Sequence, residues 1–380
     1  MTQIVPPLAE MLADLPDFRR AQGKRHPLLA LLLLASVAML CGARSQSAIT
    51  DWGKNYGLAR RKHLGFTRRD APSQSTIQRL FAGIDVSLLE ARLSVWAQRA
   101  LVQLPATDCA APPLEGIAMD GKQLRMSAQC GAADAHLLSA ISQRLGLVLG
   151  QMAVADKSNE IPAAPDLLAM LVLTGKVVTA DALLTQRTVS ATILDAGGDY
   201  LLVVKENQPT LHAEIATLFA DPTAPVVVAE EVTTHSQRHE CRRVRASTEL
   251  VGYTDWPGLQ QVLCMQRWTT DRKTGRMRTE TAYAITSLTS QRASAGELLT
   301  LWRQHWHIEN KLHWVRDVTF DEDRSTVRVR RAPQVMAALR NTAIGLHRLL
   351  GATNIAAACR HYAAEPALAL AAVGLMIENE

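Results

Sequence analysis

The 380-residue chain carries 41 Lys plus Arg against 36 Asp plus Glu, a formal net charge of +5, and 48% of its residues are hydrophobic. A chain this long and this apolar can bury a substantial core, which excludes an intrinsically disordered polypeptide. Its six cysteines form no CxxC pair, which argues against a zinc cluster or a disulfide framework and suits reduced thiols in a cytoplasm, while the modest basic excess suits a polyanionic partner without requiring one.

The first segment to stand out, KRHPLLALLLLASVAMLCGA at 24–43, imitates an export signal or a membrane span. Its apolar core is shorter than the roughly 20 residues a span needs, it starts far from Met1, and Pro27 sits where a first helical turn would begin. A buried helix near 28–42 is expected, with no membrane association. A basic stretch, LARRKHLGFTRRD, follows at 58–70, and PSQSTIQRLFAGIDVSLLEARLSVWAQRALVQL at 72–104 has apolar residues at helical spacing behind a Ser or Thr able to cap it. Residues 1–110 therefore read as a helical module, closed by a linker with Pro105, Pro112 and Pro113.

Beyond the linker come short apolar runs: GIAMD (116–120), HLLSAIS (136–142), GLVLGQMAV (146–154), VVTADA (177–182) and YLLVVKENQ (200–208), with helices expected over APDLLAMLVLTGK and TVSATILDAGG. Three consecutive strands, then strands alternating with helices, make an α/β architecture with a mixed sheet. Asp120 closes the first strand and Asp181 the fourth, and strand carboxyl ends are where ligand sites usually form in such sheets. The bland alternatives are a strand-terminating turn at Asp120 and a helix cap at Asp181. Four segments within 221–290 alternate like antiparallel strands around polar turns such as TTDRKTGR and read as a β-rich insertion. Its basic clusters include Arg242, Arg243, Arg272 and Lys273; a solvated face is the default for such runs, and phosphate contact is the alternative. From about 295 the chain returns to helix and runs on to a helical tail.

That last part contains HWHIENKLHWVRDVTFDEDR at 305–324. On one helix beginning near Ala295, His305, Glu309 and His313 fall at i, i+4 and i+8, with Asp317 a further turn on. A solvated charged face would not call for Trp302 and Trp306. A zinc site is disfavoured, because HExxH is absent and His305 and His307 point to different faces of a helix. Joined to Asp120 and Asp181, Glu309 completes three carboxylates of the kind that hold two magnesium ions roughly 4 Å apart, with Lys and Arg nearby for phosphates.

These motifs resemble those of the DDE transposases of bacterial insertion sequences, in the subgroup that includes the H-repeat-associated proteins. FRRAQGKRHPLLALLLLASVAMLCGARSQSAITDW is similar to that subgroup's N-terminal associated region, IAMDGKQLR to its first-aspartate motif, VVTADALLTQ to its second, VVKENQPTL to its lysine-asparagine-glutamine motif, and HWHIENKLHWVRDVTFDEDRSTVR to its glutamate signature.

The resemblance implies an α/β, RNase H-like core with a mixed sheet and flanking helices. The expected layout is an N-terminal helical DNA-binding domain at 1–110, the first part of the core at 111–220, a β-rich insertion at 221–292, and the glutamate helix with a helical C-terminal tail at 293–380. It implies Asp120, Asp181 and Glu309 as catalytic residues and metal ligands, holding two Mg²⁺ ions for which Mn²⁺ can substitute. The implied reaction is hydrolysis at transposon ends to free a 3′ hydroxyl, then attack of that hydroxyl on target DNA. The implied partner is double-stranded DNA, as terminal inverted repeats and as target, bound by a homodimer or higher oligomer in the bacterial cytoplasm at the nucleoid.

Aligning the related Tyr-x2-Arg-x3-Glu-x6-Lys signature on Glu309 places Trp302, His305 and Arg316 at its other positions, so only the glutamate is identical. DNA contact is expected from Arg316 and His305, with Arg303 a competing candidate, and from Lys122 beside the first aspartate. Glu206 stands where the VVKENQ motif would carry glycine, which leaves Lys205, Asn207 and Gln208 as the DNA contacts carried over. Rival readings are a catalytically silent DNA-binding descendant of a transposase and a metal nuclease that cuts without joining.

Overall fold

A computed structural model of the chain describes residues 5–103, 114–130, 136–155, 158–234 and 237–375, so the expected proline linker lies outside the described residues. The chain divides into two compact units. One comprises Met1–Ala110, Gly121–Asn159 and Ile308–Glu380, and the other Ala111–Asp120 and Glu160–His307.

In the first unit, helix α1 (Leu28–Leu40) buries twelve of its thirteen residues. A helix apolar on every side needs neighbours on every side, and α1 is packed among other helices, the long C-terminal helix Ala332–Leu349 included. The stretch Ala21–Leu40 is long and apolar enough to cross a membrane by length and composition, and it is mostly buried within the protein. The helix Gln74–Gly83 begins at Ser73, whose side chain accepts the Thr76 N–H and so satisfies one of the free donors of the first turn.

Helix α2 (Val86–Gln103) follows, and it carries a buried carboxyl, Glu90, that accepts hydrogen bonds from Gln151 (2.7 Å) and Gln334 (2.8 Å). Burial outweighs these two hydrogen bonds and raises the Glu90 pKa from 4.5 to about 7. The folded-state pKa lies above the unfolded one, so the stability contributed by the protonated carboxyl is present in full below 4.5 and lost as the pH rises through about 7. Thermal melts taken from acid to mildly alkaline pH should show a loss of up to about 3 kcal/mol in the native protein and a flatter profile for Glu90→Gln, which cannot ionise.

The strands are β1 (Glu115–Gln123), β2 (His136–Ser142), β3 (Val148–Val154), β4 (Lys176–Ala180), β5 (Asp199–Val204), β6 (Val227–Thr234), β7 (Arg238–Ser247), β8 (Gln261–Asp271) and β9 (Met277–Thr286). They follow the order β3-β2-β1-β4-β5-β9-β8-β7-β6, with β1 belonging to both units. β1, β4 and β5 are parallel, β2 and β3 antiparallel, and β9 lies antiparallel to β5. The result is a large mixed sheet with flanking helices.

Every residue of β5 is buried, as a strand paired on both edges and covered on both faces requires. The four strands expected within 221–292 form a meander that continues the sheet from the edge of β5. Helix α3 (Ala295–His305) starts in a reciprocal capping box between Ser294 and Glu297. It packs Leu298, Leu301 and Trp302 into a core with Leu201, Val203, Val244 and Leu263.

Candidate active site

The register of the parallel pair matches Met119 on β1 with Ala180 on β4, so Asp120 and Asp181 are the next residues along two adjacent strands. β1 continues to Gln123, and Asp120 therefore lies within its strand instead of closing it as expected. Asp181 does follow the last residue of β4. It also caps the short turn Ala182–Leu184, its Oδ1 accepting the Ala182 N–H at 2.7 Å, so the capping role coexists with a carboxylate at the strand end.

The residues after β5 converge on this loop. Lys205 Nζ lies 3.0 Å from Asp181 Oδ1, Asn207 Nδ2 donates to the Ala182 carbonyl at 2.7 Å, and Gln208 Nε2 donates to the Thr185 carbonyl at 3.0 Å. All three side chains engage the Asp181 loop, and Lys205 and Asn207 remain exposed beside it. Burial pushes the Asp181 carboxyl up, but the Ala182 N–H, Lys205 and His305 together outweigh it and leave the pKa below the ordinary value. The group is anionic at neutral pH.

The segment around Glu309 departs from the single helix expected. α3 ends at His305, a π-helical turn spans Ile308–His313, and an α-helix resumes at Trp314–Val318. A π turn shifts the register of everything after it, and such turns recur at functional sites. Glu309 and His313 remain neighbours, with His313 Nδ1 3.5 Å from Glu309 Oε1. His305 and Asp317 have partners of their own. His305 Nδ1 meets Thr179 Oγ1 at 2.9 Å, and Asp317 Oδ2 meets Lys122 Nζ at 2.6 Å. Burial lowers the His313 pKa, with Glu309 opposing and Arg316 and Lys122 reinforcing, so its imidazole is neutral at neutral pH.

Two expected DNA contacts are corrected outright. Arg316 is fully buried: its Nε donates to Glu322 Oε2 at 2.6 Å, while Arg340 donates to Glu322 Oε1 at 2.7 Å. Burial raises the Glu322 pKa, but the two guanidinium groups override it and bring the pKa to about 2. Lys122 has only 9% of its side chain exposed and lies between Asp317 and Asp323.

Arg303 is ion-paired with Glu231, Arg242 with Glu240, and Arg243 with Glu230 while its guanidinium lies over the Trp268 ring. Arg272 and Lys273 are exposed in the turn between β8 and β9. Thr179, Glu322 and Arg340 do not stand out in the sequence. The last two carry no local signal, because the partners of Glu322 lie six residues before it and eighteen after it.

Residues 111–346 match the family described as "Transposase DDE domain". The chain belongs to the DDE transposase family. Residues 9–97 of this DDE transposase match a second family description, "DDE_Tnp_1-associated". Among its relatives in Escherichia coli strain K12, "Putative protein YbfL" is 31% identical over 355 residues, and "H repeat-associated putative transposase YhhI" is 30% identical over 355 residues; each alignment covers 89% of both chains. "Putative transposase YncI" of Escherichia coli O157:H7 is 31% identical over 350 residues, covering 90% of this chain and 87% of that one. Membership of this family points to an enzyme acting on nucleic acid.

Proposed function

We propose that the chain is a DNA transposase that hydrolyses its element's ends and joins the released 3′ hydroxyls to target DNA, with Asp120, Asp181 and Glu309 as catalytic metal ligands. The observation that carries this reading is the register of the parallel neighbours β1 and β4, in which Asp120 and Asp181 directly follow the paired residues Met119 and Ala180. The mixed sheet with parallel β1, β4 and β5 supports an RNase H-like core at 111–220, continued after the meander of 221–292 by the glutamate segment of 293–380.

The donor set fits a hard divalent cation, because all three groups offer carboxylate oxygens and Asp181 is held anionic by its neighbours. Asp120, Asp181 and Glu309 would hold two Mg²⁺ ions, or Mn²⁺ in their place, which when bound would supply activation of the attacking oxygen and neutralisation of the leaving one. The chain's own residues do the rest. Lys205 offsets the Asp181 charge and fixes its carboxylate, Asn207 and Gln208 clamp the loop behind it, and the neutral His313 keeps the Glu309 carboxylate in one orientation. Water and the DNA 3′ hydroxyl serve in turn as nucleophile, so no protein nucleophile and no covalent intermediate take part. Arg272 and Lys273, exposed in the β8–β9 turn, would contact backbone phosphates of double-stranded DNA. Two ends held together require at least a homodimer, acting in the cytoplasm at the nucleoid.

The test is an assay on labelled DNA bearing the element's own ends, with Mg²⁺, with Mn²⁺, and after chelation. Cut ends carrying 3′ hydroxyls and joined products should appear with either ion, vanish on chelation and return on resupply. Cutting without joining would make the protein a nuclease, and binding without cutting would leave the silent DNA-binding reading.

A further inference from the structure

The N-terminal helical module contains a cavity of about 640 Å³ between residues 18–26 and 68–80. Arg20, Arg25, Arg68 and Arg79 line it, all four are exposed, and among the described residues none of them is ion-paired. Arg19, by contrast, is held by Asp17 at 2.8 Å and by the His26 carbonyl at 2.8 Å. Asp70 is the only carboxylate among the described lining residues. Four guanidinium groups around one cavity with a single acid repel one another unless an anion enters.

His26, Ser73 and Thr76 also line this space. His26 is 8% exposed, and its Nδ1 has no hydrogen-bond partner among the described residues. Burial, reinforced by Arg68, Arg25 and Arg19, holds its pKa down. Ser73 and Thr76 lie at the start of the ten-residue helix Gln74–Gly83, so the positive end of that helix borders the site.

We propose that this cavity grips consecutive backbone phosphates of a DNA strand, with Arg20, Arg25, Arg68 and Arg79 as the anchors. Guanidinium forks match phosphate oxygens, and several of them together call for a ligand with several phosphates. The choice of a DNA strand over a free polyphosphate rests on the DNA-transposase reading above.

The test uses the full chain with Arg20, Arg25 and Arg68 all changed to Gln, checked for folding by its thermal melt. Binding to a fluorescent duplex is followed by anisotropy across a salt series. Removing one guanidinium from its phosphate should flatten the slope of log affinity against log salt by about 0.9, so the triple variant should be shallower by roughly 2.7 and bind about tenfold or more weakly at moderate salt. A variant that melts like the native protein and keeps its slope overturns the proposal. If the triple variant melts early, Arg25→Gln and Arg68→Gln singly decide the matter, each expected to flatten the slope by about 0.9.

Adenosine triphosphate is the second probe. Tight binding of it that the triple variant loses while keeping native DNA affinity would assign the cavity to a free polyphosphate and overturn the DNA assignment. Cutting by the native protein is scored in parallel. A protein that binds DNA through this cavity but never cuts refutes the transposase reading and leaves the site standing, whereas one that cuts while the triple variant keeps its slope refutes the site alone.

Discussion

Glu309→Gln is expected to reduce cutting and joining of transposon ends on the order of a thousandfold or more, which corresponds to about 4 kcal/mol of lost transition-state stabilisation. The amide preserves the shape of the side chain, and the carboxylate it replaces is 44% exposed, so the fold has little reason to change. What disappears is the negative charge that a hard cation requires from its oxygen ligands. DNA affinity in the absence of metal should stay within about twofold, because the removed charge is acidic and contributes nothing to phosphate binding. Rates measured on labelled ends, next to anisotropy with the same DNA, separate the two effects. Equal cutting by both proteins would remove Glu309 from the mechanism.

Glu322→Gln should be the most damaging single change to stability. It takes the shared anion away from Arg316 and Arg340, both buried, and Glu322 is the only hydrogen-bond partner of Arg316 among the described residues. Breaking a buried ion pair from one side costs about 3–5 kcal/mol, since the partner charge stays behind without compensation. The pH dependence has a definite sign. The folded pKa of Glu322 is depressed from 4.5 to about 2, so its contribution is present above 4.5 and is lost as the pH falls through about 2. Denaturation midpoints taken through this acid range should fall steeply for the native protein and lack that component in the variant. A variant that unfolds within about 0.5 kcal/mol of the native protein would show that the triad is not cohesive.

The sheet is readable from short apolar runs with polar punctuation, and so is the position of Asp181 at the end of its strand. Pairing is less so. Nothing in the alternation of residues 227–286 states that β9 seeks β5, because a strand's pattern reports which face it buries and not which edge it joins. The extension of β1 past Asp120 is hidden by Gly121 and Lys122, a dipeptide that suits a turn equally well.

The segment from 305 to 317 defeats the helical reading for a physical reason. Periodicity assumes an unbroken 3.6-residue repeat, and one π turn at Ile308–His313 breaks that repeat without altering composition. Arg316 and Lys122 suit DNA by their charge. Charge in a sequence does not distinguish a solvent-facing cation from one whose counter-ion arrives from elsewhere in the chain, and both of these meet carboxylates in the folded protein.

The pairing of β5 with β9 joins Leu201 to Thr286, positions that leave the ribosome many residues apart. β4 and β5 can associate soon after their own synthesis, but the outer edge of the wholly buried β5 has no neighbour until β9 has been made. At about 5–20 residues per second, this is an interval of several seconds in which an apolar strand presents unpaired amides and carbonyls. Polypeptides released early, before Met277, would keep that edge open and stick to one another. Interrupted translation of this gene should therefore yield insoluble fragments in place of partly active ones.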